Sequence, residues 1–118
     1  EMAGRDTRTL ELASHVGGVP RKKLIRLPFD AADGFHTYAF EWRADVVRWY
    51  VDNQLVHEER GERIERMNRP QRFIINLWNS RLLDRWVGDI DSAAAPWTMT
   101  VSCAAAAPSY EGRTLCGS

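Results

Sequence analysis

Among the residues whose types and spacing could do chemistry, Asn76 and Trp78 come first, two apart in the run INLWNS, with Trp86 one loop further on. An indole face stacks on the apolar C–H face of a sugar ring while an amide bonds its hydroxyls, the mixture a carbohydrate pocket needs. The same residues would also suit an indole that simply covers core, and spacing alone leaves both readings open. Other reactive constellations do not assemble. His15, His36 and His57 lie far apart with no paired spacing, and each reads as a strand or turn residue with ordinary hydrogen bonds. Cys103 and Cys116 match no zinc-binding pattern. Gly17-Gly18 is a turn rather than a phosphate-cradling loop, and no serine sits in a nucleophile-elbow context. No metal ion and no cofactor are expected.

The elements that must position these residues read as short strands. The most regular stretch is Phe35 to Glu58, FHTYAFEWRADVVRWYVDNQLVHE. Tyr38, Phe40 and Trp42 alternate with Thr37, Ala39 and Glu41, the period of two of a half-buried strand. After the polar break Arg43-Ala44-Asp45, Val47, Trp49 and Val51 alternate with Val46, Arg48 and Tyr50. Asp52-Asn53 then forms a two-residue hairpin loop, because both side chains tolerate the positive φ of a type I′ turn. Leu55-Val56-His57 returns the chain as a third strand.

Upstream, Thr9 to Val16 alternates Leu10, Leu12 and Ser14 against Glu11, Ala13 and His15. Gly17-Gly18 and Pro20 break that strand, and Arg21-Lys22-Lys23 is expected as a solvated loop. Leu24 to Leu27 reads as a short strand and Asp30 to Gly34 as a turn. Glu58 to Arg69 is charge-dense, and with Gly61 and Pro70 bracketing so little chain a loop is favoured over a short helix. Phe73 to Asn79 predicts a strand with Phe73, Ile75 and Leu77 on the core face and Ile74, Asn76 and Trp78 on the other. Arg81 to Asp91 is a loop, and Trp97 to Cys103 predicts a last strand before an Ala-rich tail. About seven short strands and no convincing helix predict an all-β protein, an antiparallel β-sandwich.

At 118 residues the chain is one domain at most. Its 44% apolar content and five tryptophans argue for a packed core rather than disorder. Lys+Arg and Asp+Glu balance at 16 each, so no net field recruits nucleic acid or an anionic membrane. No apolar run approaches the ~20 residues of a membrane span. The chain opens at Glu1 with Met2 behind it, and we read it as a piece of a longer protein, so the lack of a visible signal peptide says nothing about export.

Four segments carry a resemblance to a known family: GFHTYAFEW (Gly34 to Trp42), VRWYVDNQLVHE (Val47 to Glu58), INLWNS (Ile75 to Ser80) and RWVGDID (Arg85 to Asp91). In order and spacing the chain resembles the C-terminal half of a glycoside hydrolase family 16 enzyme, the group of bacterial β-glucanases, lichenases and laminarinases. It is most similar to the endo-1,3-1,4-β-glycanase branch that trims rhizobial-type exopolysaccharide. The resemblance spans roughly Glu1 to Cys103 and implies a concanavalin A-like jelly roll, here lacking its N-terminal strands, whose concave sheet forms a glucan cleft. Residues 1–103 would be part of the catalytic domain and 104–118 a tail.

The family's catalytic motif is Glu-x-Asp-x-Glu on one strand, which puts all three acids over the cleft. The first glutamate is the nucleophile and the last the general acid/base of a retaining hydrolysis. The last is commonly followed by a short stretch ending Gly-Lys/Arg-Asp; here Met2-Ala3-Gly4-Arg5-Asp6 follows Glu1. Glu1 therefore matches the acid/base, and the nucleophile would precede the chain. Asn76, Trp78 and Trp86 match cleft residues: the first two are expected on the concave face and Trp86 at its rim, partly exposed, with Ile75 and Leu77 buried. The second cleft strand reads Ala13-Ser14-His15, which leaves His15 as its sugar contact. An acid that helps hold calcium in some relatives is replaced near Ser102, so that ion is not expected. In an exported family Cys103 and Cys116 can close a bridge, contributing about 3 kcal/mol in the chain-entropy model.

The resemblance thus implies hydrolysis of internal β-glucosidic bonds with retention, a β-glucan or exopolysaccharide substrate, a secreted or periplasmic location and a monomeric full-length parent. The isolated chain is expected to be inactive. Two other classes stay open: a non-catalytic β-glucan-binding lectin-like domain of the same fold, and a plain structural sandwich.

Overall fold

The computed structural model of the chain describes residues 1–108 and 115–116. Five strands are present among them: β1 (Thr9–Val16), β2 (Val19–Arg26), β3 (Tyr38–Trp42), β4 (Val46–Val51) and β5 (Gln54–Arg60). β1 and β2 form one antiparallel sheet, and β3, β4 and β5 form a second in that order. Both tight hairpins follow from their turn residues. Gly17 and Gly18 have φ of 59° and 77°, and Asp52 and Asn53 have 47° and 64°, the left-handed values of a type I′ turn. A single bulge falls between Trp49 and Tyr50.

The two sheets pack face to face. Leu10, Leu12, Leu27 and Val51 form the buried cluster, with Met2, Ile25, Trp49 and Val56 against it. A polar tie joins the layers at one end: Glu59, 7% exposed, accepts from the Ser14 hydroxyl at 2.8 Å and from Arg21 at 2.9 Å. Arg63 extends the tie, donating to the Ser14 and Val19 carbonyls. The expected meander and β1 are therefore present, and β1 buries the expected Leu10, Leu12 and Ser14.

Four details differ from the sequence reading. Arg21-Lys22-Lys23 is not a loop: β2 runs through it, because pairing with Ala13 and Ser14 continues to the Gly17-Gly18 turn. On an exposed edge strand, long basic side chains keep their charge in water while the backbone pairs. The segment after β5 contains one helical turn, α1 (Glu62–Glu65), which packs on the ends of β4 and β5 and buries Ile64 completely. Tyr38 and Phe40 alternate as expected but stand 46% and 57% exposed. The fourth difference is the largest. Neither Phe73 to Asn79 nor Trp97 to Cys103 is a strand, and Ile75 and Leu77, expected in the core, are 45% and 55% exposed. A strand exists only as one side of a ladder, and no described segment supplies the other side. Between those two segments lie a turn, α2 (Asp84–Val87), and a 3-10 turn (Ser92–Ala94). Of the tail, residues 109–114 and 117–118 fall outside the described set.

Candidate active site

Glu1 is fixed by strand pairing. Its terminal amine donates to the Glu11 carbonyl at 2.6 Å, and the Glu11 N–H donates back to the Glu1 carbonyl at 2.8 Å. Met2 bridges Leu10 in the same register. Residues directly opposite on antiparallel chains project to one face. The Glu1 side chain therefore leaves on the face of Glu11, Ala13 and His15, opposite the face where Leu10, Leu12 and Ser14 are buried. On β2 that face carries Leu24, Lys22 and Pro20, the partners of Glu11, Ala13 and His15.

The indoles come from two segments, Trp78 from the stretch before Ser80 and Trp86 from the loop after it. Trp86 lies on α2, whose single turn is closed by N–H bonds of Val87 to Leu83 and of Gly88 to Asp84. Gly88, at φ 94°, lets that turn approach the stub behind Glu1: a Cβ there would stand 2.9 Å from Cβ of Arg5. Trp78 meets Trp86 with ring centroids 5.5 Å apart at 51°, and Trp78 is 40% exposed. Lys22 Nζ lies 4.9 Å from the Trp86 ring centroid and donates to Glu11 Oε1 at 2.6 Å. Glu1, His15, Asn76, Trp78 and Trp86 lie along one wide, open trough that takes in more than half of the described residues, the buried Leu10, Leu12 and Ser14 among them. The contacts that join its parts are the Trp78–Trp86 pair and the Lys22 bridge from Glu11 to Trp86.

Trp78 and Trp86 are thus in contact, and Glu1 and His15 share one face of β1, while all five expected residues border a trough too broad to join them by itself. Asn76 and Trp78 do so from an unladdered segment rather than from a strand. Ordinary structural contacts account for the other histidines: His36 stacks on Phe29 at 3.5 Å and sits 2.7 Å from Asp52, and His57 stacks on Trp49. Two residues escaped the sequence reading, Glu11 beside Glu1 and Lys22 between Glu11 and Trp86. Alternation puts Glu11 on the His15 face, which was a usable signal; Lys22 was hidden by the assignment of its segment to a loop. Cys103 and Cys116 are bridged, with Cα atoms 5.7 Å apart, as expected.

Comparison with known proteins identifies the family and the fold. The family model "Glycosyl hydrolases family 16" matches residues 1–99. The β-glucanase of Bacillus licheniformis is 37% identical over 89 residues, covering 75% of this chain and 35% of the relative. That of Paenibacillus macerans is 37% identical over 94 residues, covering 79% and 38%. The chain therefore spans little more than a third of the length of these relatives. A solved structure of the Bacillus licheniformis β-glucanase superposes with a TM-score of 0.69 at 36% identity, over 77% of this chain and 42% of that one. Its curved all-β jelly roll is the fold of which the two sheets here form a part. With a family match running from Glu1 through the Trp86 loop and the same backbone in a solved relative, the chain belongs to glycoside hydrolase family 16.

Proposed function

We propose that the chain is the cleft-bearing part of a retaining endo-β-glucanase, in which Glu1 is the general acid/base and Asn76, Trp78, Trp86 and His15 contact the sugar chain. One observation carries the reading. Backbone pairing turns the Glu1 side chain to the β1 face of Glu11, and Glu11 is linked through Lys22 to the Trp86–Trp78 pair, which supports an acid and stacking surfaces acting on the same substrate. The indoles hold a glucan ring against the trough, and Glu1 protonates the leaving glycosidic oxygen before activating water in the second step. Residues 1–103 act as part of the catalytic domain and 104–118 as its tail. Export to an oxidising compartment is supported by the Cys103–Cys116 bridge, and the active parent is a monomer.

The test is a reducing-sugar assay of the full-length parent on lichenan and laminarin. Glu1→Gln should lower turnover by about 10²–10⁴-fold, the usual contribution of a positioned proton donor, and leave glucan binding unchanged. Unaltered turnover would remove Glu1 from the mechanism. Binding without turnover in the unmutated parent would favour the lectin-like alternative.

A further inference from the structure

We propose that Lys22 is a positioning residue of the trough: anchored on Glu11, it holds the Trp86 indole in place as a sugar platform. The inference rests on the glucan-binding reading and adds to it a residue that the site assignment does not contain. Lys22 pairs with Ala13 across β1 and β2, so its side chain projects onto the trough face. Its ammonium there has two partners on different elements. Glu11 on β1, with a side chain 13% exposed, accepts from Nζ at 2.6 Å. Trp86 on α2 presents its ring 4.9 Å from the same nitrogen. A cation at this distance over an indole is attracted by the negative π face. The carboxylate fixes where that cation stands.

The indole needs such a hold. Trp86 rides on one helical turn of four residues without a side-chain cap, and no described strand pairs with the segment around it. Gly88 docks the turn on the segment behind Glu1, and the ring itself is held by Lys22 over it and Trp78 tilted against it. The ammonium lies over the Trp86 ring and Trp78 leans on it at 51°, so a sugar would stack on the part of the platform that these two leave open. A platform ordered before the ligand arrives spares the ordering cost that a loose side chain would impose on each binding event. Lys22 thereby connects the strand that pairs with Glu1 to the aromatic wall of the trough.

The experiment is affinity electrophoresis of the full-length parent, carrying Glu1→Gln so that the glucan in the gel is not consumed, in soluble barley β-glucan, run as a double-mutant cycle. Lys22→Met should weaken binding about two- to fivefold, the range of a partly exposed cation–π contact. Lys22→Arg should restore it, since a guanidinium can take both partners. Trp86→Phe should weaken binding too, and in a Trp86→Ala chain the further change Lys22→Met should have no effect, because the residue acts through the indole. A Lys22→Met effect that adds fully to Trp86→Ala, or no effect in a chain that binds, would overturn the positioning role and leave the glucan reading standing. Absence of binding by the Glu1→Gln parent without further substitution would overturn the glucan reading itself, and this inference with it.

Discussion

Glu41 shows how a single side chain can set a pH limit. It stands on β3, only 6% exposed, and accepts hydrogen bonds from Arg43, from Arg48 at 2.9 Å and from the Tyr50 hydroxyl at 3.3 Å. Burial opposes its charge, but the hydrogen bonds and charges of Arg43 and Arg48 outweigh that penalty and hold its carboxyl below the usual range. A depressed carboxyl contributes stability that is present above its unfolded value, 4.5 here, and is lost as pH falls through the folded value. Unfolding free energy should therefore fall below about pH 4.5, and Glu41→Gln should flatten that acid limb while costing about 1–2 kcal/mol at pH 7. Urea titrations at pH 7, 5 and 3.5 measure both; an acid limb unchanged in the variant would refute the assignment. Gly88 is a second critical residue. Any side chain there must adopt φ 94° and meet the Arg5 Cβ at 2.9 Å, so Gly88→Ala should cost about 1–2 kcal/mol and lift the Trp86 turn from the stub carrying Glu1. A shifted tryptophan emission with intact far-UV dichroism would report it, and a variant indistinguishable from the parent in both would argue against close packing there.

At the scale of elements, the two hairpins are where local sequence decides most. The β4–β5 turn requires left-handed backbone at Asp52 and Asn53, and Asp52 also accepts from the Thr37 N–H at 2.9 Å. Asn53→Ala should lower stability by about 1 kcal/mol, while Asn53→Gly should leave it unchanged or raised; thermal melts of the two variants compare them, and equal midpoints would show the turn is not limiting. The same locality explains what the sequence disclosed. β1, β3, β4 and β5 find their partners across two- or three-residue connections, so alternation and turn chemistry sufficed to draw them. Phe73 to Asn79 and Trp97 to Cys103 alternate just as clearly, but a periodic pattern reports only a readiness to pair, and their partners are not among the described residues. Lys22 was lost for the converse reason: a run of three basic residues looks like a loop until β1 is seen to pair with it. The candidate site was named from the types and order of its residues, which do not depend on those pairings. Their faces depend on Glu1 pairing with Glu11 and on Gly88 docking the Trp86 turn, contacts between distant parts of the chain.

For the whole molecule, unpaired apolar surface and unfinished chemistry have one origin. Phe73, Ile74, Leu77, Trp97, Met99 and Val101 are all 43–70% exposed, far more contiguous sequence than a soluble monomer leaves uncovered, and the chain spans little more than a third of the length of its relatives. The 118-residue polypeptide expressed by itself should therefore bind a hydrophobic dye at neutral pH and self-associate as its concentration rises. Retaining hydrolysis needs two carboxyls about 5–5.5 Å apart, one attacking the anomeric carbon while the other protonates the leaving oxygen. Glu11 is set beside Glu1, yet its carboxylate is committed to Lys22 at 2.6 Å, and an oxygen bound to an ammonium is a poor attacking group. The lone chain should accordingly give no reducing sugar from lichenan, laminarin or succinoglycan, whereas the full-length parent should release it from β-glucan. Turnover by the lone chain that disappears in both Glu1→Gln and Glu11→Gln would show that the catalytic pair is already present across this strand pairing, with Glu11 as the second carboxylate, and the assignment of the nucleophile to a segment outside the chain would fall.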